Sequence, residues 1–116
     1  MTEALFWFER MEVYQAARAA LAGGIAARAK LRGLPGEVAG QLERALVSTV
    51  ANIAEGSGRA SRADRARHYA IARGSANESG VLVEIAAMYG ALDEREHAAM
   101  RSHLLRTAFM LTALMR

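Results

Sequence analysis

The stretch Val50-Ala51-Asn52-Ile53-Ala54-Glu55-Gly56-Ser57-Gly58-Arg59-Ala60-Ser61 decides how this chain is read. An apolar helical run sets Asn52 and Glu55 close together, breaks at glycine, and is followed by a serine suited to start another helix. Upstream, Leu42, Leu46, Val50 and Ile53 recur at three- and four-residue steps, which predicts a helix from about Gly36 to Ala54. Downstream, Ser61 with Asp64 three residues later predicts an N-cap and a helix that runs to Tyr89 and stops at Gly90. Asp93 is the expected cap of a last helix that reaches the C-terminus. The first helix is expected over Phe8 to Arg32, with Phe8, Met11, Tyr14, Ala17, Leu21 and Ile25 on one face. Gly23-Gly24 predicts a bend or a close helix contact within it. The sole proline, Pro35, suits the first turn of the second helix. Short connections between four helices make neighbours antiparallel, so the expected fold is all-α, a single up-down four-helix bundle over residues 1–116.

Composition agrees with that class. Of the 116 residues, 53% are hydrophobic but only 6% aromatic, as closely packed helices require. With no cysteine there is no disulfide, zinc-thiolate site or cysteine nucleophile. The start MTEALFWFER carries an acid at Glu3 and a short apolar burst, unlike a signal peptide. No apolar run approaches the ~20 residues of a membrane helix. The expectation is a soluble cytoplasmic protein with no membrane partner. The last helix, LLRTAFMLTALM over 104–115, leaves too narrow a polar face for a lone bundle helix, which predicts self-association.

Charge is unevenly spread behind a formal net +3. Lys30 is the only lysine among the fifteen basic residues. Between Ser57 and Ser75 lie Arg59, Arg62, Arg65, Arg67 and Arg73 against the single acid Asp64, whereas Glu78, Glu84, Asp93, Glu94 and Glu96 follow with only Arg95. Arginine grips phosphate or carboxylate with a two-pronged fork, so Arg59, Arg62, Arg65 and Arg73 are the candidate phosphate contacts. The competing reading pairs these arginines with Glu84, Glu94 and Glu96, or leaves them as a solvated surface.

On the second helix Gln41, Arg44, Ser48, Asn52 and Glu55 share one face, which periodicity alone reads as its solvated side. In the third helix Ile71, Ser75, Glu78, Leu82, Ile85 and Tyr89 form one stripe, so Ser75 and Glu78 stand among apolar residues. A carboxylate buried there needs partners. Arg44, Ser48 and Asn52 would supply them, making Arg44, Ser48, Asn52, Glu55, Ser75 and Glu78 a polar network, with Gly56 as the C-cap of its helix.

The segments QLER, STVANIAEGSGR and IARGSANE, in that order, with FERMEVYQAAR upstream, resemble the four helix bundle family also called the 23S rRNA intervening-sequence proteins. The resemblance implies a small cytoplasmic helical bundle assembled as a homopentamer. It also implies kinship to the accessory proteins of diversity-generating retroelements, which are basic pentamers that bind nucleic acid and a reverse transcriptase. It places Arg44, Ser48, Asn52, Glu55, Gly56, Arg59, Gly74, Ser75 and Glu78 at motif positions. Where family members commonly carry bulky apolar residues, this chain has Arg65, His68, Ala76 and Ser79.

Catalytic chemistry finds little footing. The single Glu-x-x-His spacing, Glu94 to His97, falls in a helical first turn where acids are favoured anyway, and a di-iron bundle needs two such pairs. His68 and His103 lack ligand-spaced partners. Ser48, Ser57 and Ser75 have no evident base, and Gly56-Ser57-Gly58 lacks the lysine and strand of a phosphate loop. The expectation is a non-enzyme with no cofactor or metal that binds structured RNA or an RNA-protein complex. The alternative is a structural oligomer or protein-interaction module that binds no nucleic acid.

Overall fold

The computed structural model describes residues 4–116; Glu3, on which part of the N-terminal reading rests, lies outside them. The described chain is helical throughout: a 3-10 turn over Trp7–Arg10, then α1 (Glu12–Ala26), α2 (Arg28–Leu31), α3 (Val38–Ser57), α4 (Arg62–Met88) and α5 (Glu94–Leu114). The four long helices pack on one another as a bundle. None of the described helices is long and apolar enough to cross a membrane.

The first helix expected over Phe8 to Arg32 is in fact three pieces. Met11 is extended, at φ −81° and ψ 129°, which separates the 3-10 turn from α1. Phe8 lies 4.8 Å from the Tyr14 ring and 5.2 Å from Phe6, so aromatic packing folds the turn back over the start of α1. Ala27, with ψ near 2°, interrupts the helix again before α2. The face of α1 that enters the core is Val13, Ala16, Ala17, Ala20 and Gly24, while Ile25, expected inside, is exposed. Small side chains let neighbouring helices approach closely. A β-carbon on Gly24 would stand 2.6 Å from Leu46 Cδ1, and one on Gly23 3.1 Å from Met100 Cγ. The glycine pair therefore serves as the close contact its sequence suggests.

The second boundary also shifts. Gly36 adopts φ +62°, a left-handed conformation that suits glycine, so the helix begins two residues later and Pro35 stays in the turn. The stop after α4 agrees with expectation. Gly90 has φ +79°, its amide donates to the Ala87 carbonyl at 3.0 Å, and Ala91 donates to the Ala86 carbonyl at 2.9 Å. This pair of bonds is a Schellman ending. Asp93 caps α5 by accepting from the Glu96 amide at 2.8 Å, while Glu96 accepts from the Asp93 amide at 2.9 Å. That amide bond holds the Asp93 carboxyl below its ordinary range. Lys30, 2.5 Å from both Glu96 oxygens, does the same for Glu96 and ties α2 to α5.

Two apolar clusters fill the bundle. One gathers Val13 and Ala17 from the start of α1, Ile53 from the end of α3, Tyr69 and Ala72 from the start of α4, and Leu111 from the end of α5. The other gathers Ala20, Leu42, Leu46, Val83, Ala86, Met100 and Leu104 with Leu92. The buried hydroxyls of Thr49, Ser79 and Thr107 donate to the carbonyls of Ala45, Ser75 and His103 one turn earlier, so they cost the core no unpaired donor. The core seam of α4 is Tyr69, Ala72, Ala76, Ser79, Val83 and Ala86. Ala76 and Ser79 are both buried in that seam.

Candidate functional site

The polar residues singled out in the sequence meet at the seam of α3 and α4 and at the corner that joins them. Ser48 Oγ lies 2.8 Å from Ser75 Oγ, linking the two helices directly. Asn52 donates from Nδ2 to the Ser48 carbonyl at 2.9 Å and to Ser48 Oγ at 3.2 Å, and its Oδ1 lies 3.2 Å from His68 Nδ1. Arg67 Nη2 lies 3.1 Å from His68 Nε2. A guanidinium can only donate, so in this arrangement Nε2 accepts and Nδ1 carries the hydrogen that Asn52 receives. Arg67 continues to Asp64 at 3.1 Å, Asp64 stands 3.6 Å from Arg59, and Arg59 donates to Glu55 at 2.8 Å. One chain of polar contacts therefore runs from Ser75 to Glu55.

Gly56 explains why this corner can close. Gly56 is not the C-cap expected of it: α3 continues to Ser57, and Gly58 ends the helix with an ordinary φ of −92°. Gly56 is instead buried, and a β-carbon there would stand 2.8 Å from Tyr69 Cε1 and 3.1 Å from His68 Cβ. The Tyr69 ring occupies the space a side chain would need. Burial raises the Tyr69 phenol above its ordinary range, with the Arg65 charge opposing part of that shift. Ser57 Oγ donates to the Ala54 carbonyl, and Ser61 Oγ receives the Asp64 amide at 3.1 Å as the expected N-cap.

The expected residues do not all join. Ser48, Asn52 and Ser75 are half-buried and bonded, and Glu55 is exposed and reaches the chain of contacts only through Arg59. Arg44 and Glu78 are both exposed in the single chain, on opposite walls of a groove that Gln41, Ser48 and Ser75 also line, and no ion pair joins them among the described residues. Of the expected stripe through Glu78, Leu82 is in the core and Ile85 packs against it, while Ile71, Glu78 and Tyr89 lie on the exposed flank of α4. The core face of α4 also runs through Ala76 and Ser79, because alanine and serine can fill a tight seam as well as leucine can fill a loose one. His68, without a ligand-spaced partner in sequence, is 7% exposed and completes the network from sixteen residues away.

The four arginines proposed for phosphate each have an internal partner. Arg65 Nη1 donates to the carbonyls of Arg59 at 3.1 Å and Ala60 at 3.0 Å, fastening the corner loop. Arg73 reaches Thr112 on α5 at 3.2 Å. Arg62 donates to the Arg116 carbonyl, and Arg59 holds Glu55 and Asp64. None pairs with Glu84, Glu94 or Glu96. The side chains of Arg59 and Arg67 remain 40% and 59% exposed, so both retain access to solvent.

Asn52→Ala should lower the unfolding free energy by about 1–3 kcal/mol, because it strands the buried His68 donor. Glu78→Ala should change the stability of the isolated chain by less than about 0.5 kcal/mol. Urea titration followed by circular dichroism compares the two; equal losses would put Glu78 in the network after all.

No cluster of three metal-holding side chains occurs among the described residues. The family described as 23S rRNA-intervening sequence protein matches residues 9–113 of the chain. No curated protein matches it. A solved structure from Bacteroides thetaiotaomicron, a protein of unknown function from the S23 ribosomal protein family, superposes with a TM-score of 0.81 at 19% identity. The match covers 90% of this chain and 98% of that one, and it shows a shared fold.

Proposed function

Because this chain belongs to the 23S rRNA-intervening sequence protein family, we propose that it is a non-enzymatic, homo-oligomeric bundle that binds structured RNA, or an RNA-protein complex, by phosphate and shape contacts in the cytoplasm. The observation that carries this reading is the arginine-rich corner between α3 and α4, where five arginines face one acid over residues 57–75. Arg59, Arg62 and the neighbouring Arg67 are the phosphate contacts. Arg65 and Arg73, committed to the loop carbonyls and to Thr112, hold that surface in shape. A ring of subunits repeats the corner, and repetition turns weak contacts into useful affinity. A reverse-transcriptase-like protein is the partner that the retroelement kinship suggests.

A closed ring needs two different patches on each subunit, joined head to tail. Exposed apolar side chains support two. Val81 on α4 lines a groove with Leu105 on α5, one turn before the exposed Phe109, and Val47 on α3 lines another with Arg44 and Ser48, while Ile71 is exposed one turn before Ser75 on α4. In that arrangement Arg44 and Glu78 meet charges of the next subunit.

The test is fluorescence anisotropy of nuclease-treated protein with a labelled structured RNA over a salt series. The logarithm of affinity should fall with that of salt by roughly 0.7 to 0.9 per phosphate contacted. Arg62→Glu combined with Arg67→Glu should weaken binding roughly tenfold or more and flatten the slope. The internal partners of all four arginines favour a second reading, a structural or protein-binding oligomer, and absence of RNA binding at low salt would establish it in place of the first.

A further inference from the structure

Where α1 breaks at Ala27, the fold leaves a partly enclosed cavity of about 130 Å³ between α1, α2 and the start of α3. Leu21, Leu31, Leu42 and Leu46 give it apolar walls, and Arg28, Arg32 and Glu43 stand exposed at its edge. Arg28 and Glu43 approach to 3.6 Å with side chains 58% and 47% exposed, a solvent-screened pair that other ions can displace. Arg32 has no carboxylate at ion-pair distance among the described residues. Two guanidinium groups thus face one carboxylate at the mouth of an apolar hole, and guanidinium recognises planar anions in two-pronged fashion.

We propose that this cavity binds a small amphipathic carboxylate whose apolar body is about the size of a benzene ring, the size that dry cavities near 150 Å³ accept. The body sits among the four leucines and the carboxylate rests on Arg32, with Arg28 as second donor once it leaves Glu43. The pocket lies outside both the polar seam and the arginine corner, so the inference stands independently of RNA binding.

Methyl NMR of the full chain tests it, with phenylacetate as probe and 2-phenylethanol as the uncharged control of similar size. Phenylacetate should shift the methyl signals of Leu21, Leu31, Leu42 and Leu46 and bind roughly tenfold tighter than the alcohol, as one charge-assisted bond provides. Arg32→Gln should bring phenylacetate down to the level of the alcohol while leaving the helical circular dichroism unchanged. Ala39→Leu, which fills the cavity from α3, should abolish both while the chain still melts cooperatively. Absence of leucine shifts at millimolar phenylacetate, equal binding of acid and alcohol, or undiminished binding by Ala39→Leu would each overturn the proposal.

Discussion

Gly56→Ala should destabilise the protein by about 1–3 kcal/mol, the usual cost of overpacking a filled core. For a chain of this size that lowers the melting temperature by at least several degrees, at roughly 4–8 °C per kcal/mol. The sign is what makes the result informative. Alanine in place of glycine inside a helix ordinarily stabilises by about 0.5–1 kcal/mol, because glycine has more freedom to lose on folding. Gly74→Ala, in α4 with nothing within 4 Å of the added carbon, should show that gain. At Gly56 the added carbon would stand 2.8 Å from a tyrosine ring that is itself only 5% exposed and has little room to move. Differential scanning calorimetry of the two variants gives opposite signs on this account. A gain at both positions would mean that Tyr69 yields easily and that Gly56 is an ordinary helical glycine.

The same residue marks what could be read in advance. The order of the four long helices, the Ser61 and Asp93 caps and the stop at Gly90 follow from local chemistry, since capping and left-handed glycine act within a few residues. Gly23-Gly24 was legible as a bend or a close contact because two adjacent glycines inside a helical pattern are costly without a reason, and Leu46 and Met100 make it the contact. Gly56 was not, for a lone glycine near a helix end has two explanations, cap and close packing, and only Tyr69 thirteen residues later chooses between them. His68 was hidden for the same reason: its bond to Asn52 exists only once α4 lies along α3. The apolar stripe of α4 was drawn partly off its core face because Ala72, Ala76 and Ser79 signal the core weakly, while Ile71, which is exposed, signals it loudly. Ser48, Asn52 and Ser75 come together in the fold, and the helical period already placed Ser48 and Asn52 on one face of their helix. The partners of Arg62, Arg65 and Arg73 were out of reach, because backbone carbonyls and a threonine on α5 leave no trace in charge patterning.

Phe109→Glu should reduce the proposed ring to single chains of 12.5 kDa while leaving the helix content unchanged. Phe109 is 68% exposed and takes no part in either apolar cluster, so the fold of a single chain does not depend on it. Together with Leu105 one turn earlier and Val81 across the α4–α5 groove it offers an apolar face, and a carboxylate placed at the centre of a closed interface is left without water or partner. Val47→Glu should have the same effect from the other side if rings form head to tail. Mixing the two variants then distinguishes this geometry from a self-complementary one. Each variant keeps one intact patch, and in a head-to-tail contact the intact patches are complementary, so the mixture should form a pair of twice 12.5 kDa and grow no further. Light scattering after size separation reads the two variants, their mixture and the unaltered protein. If the unaltered protein runs as one chain, the ring is excluded, and if the mixture stays monomeric, the two patches do not face each other. RNA affinity measured on the Phe109→Glu monomer then isolates the contribution of repetition, which linked sites set at about 10²- to 10⁴-fold.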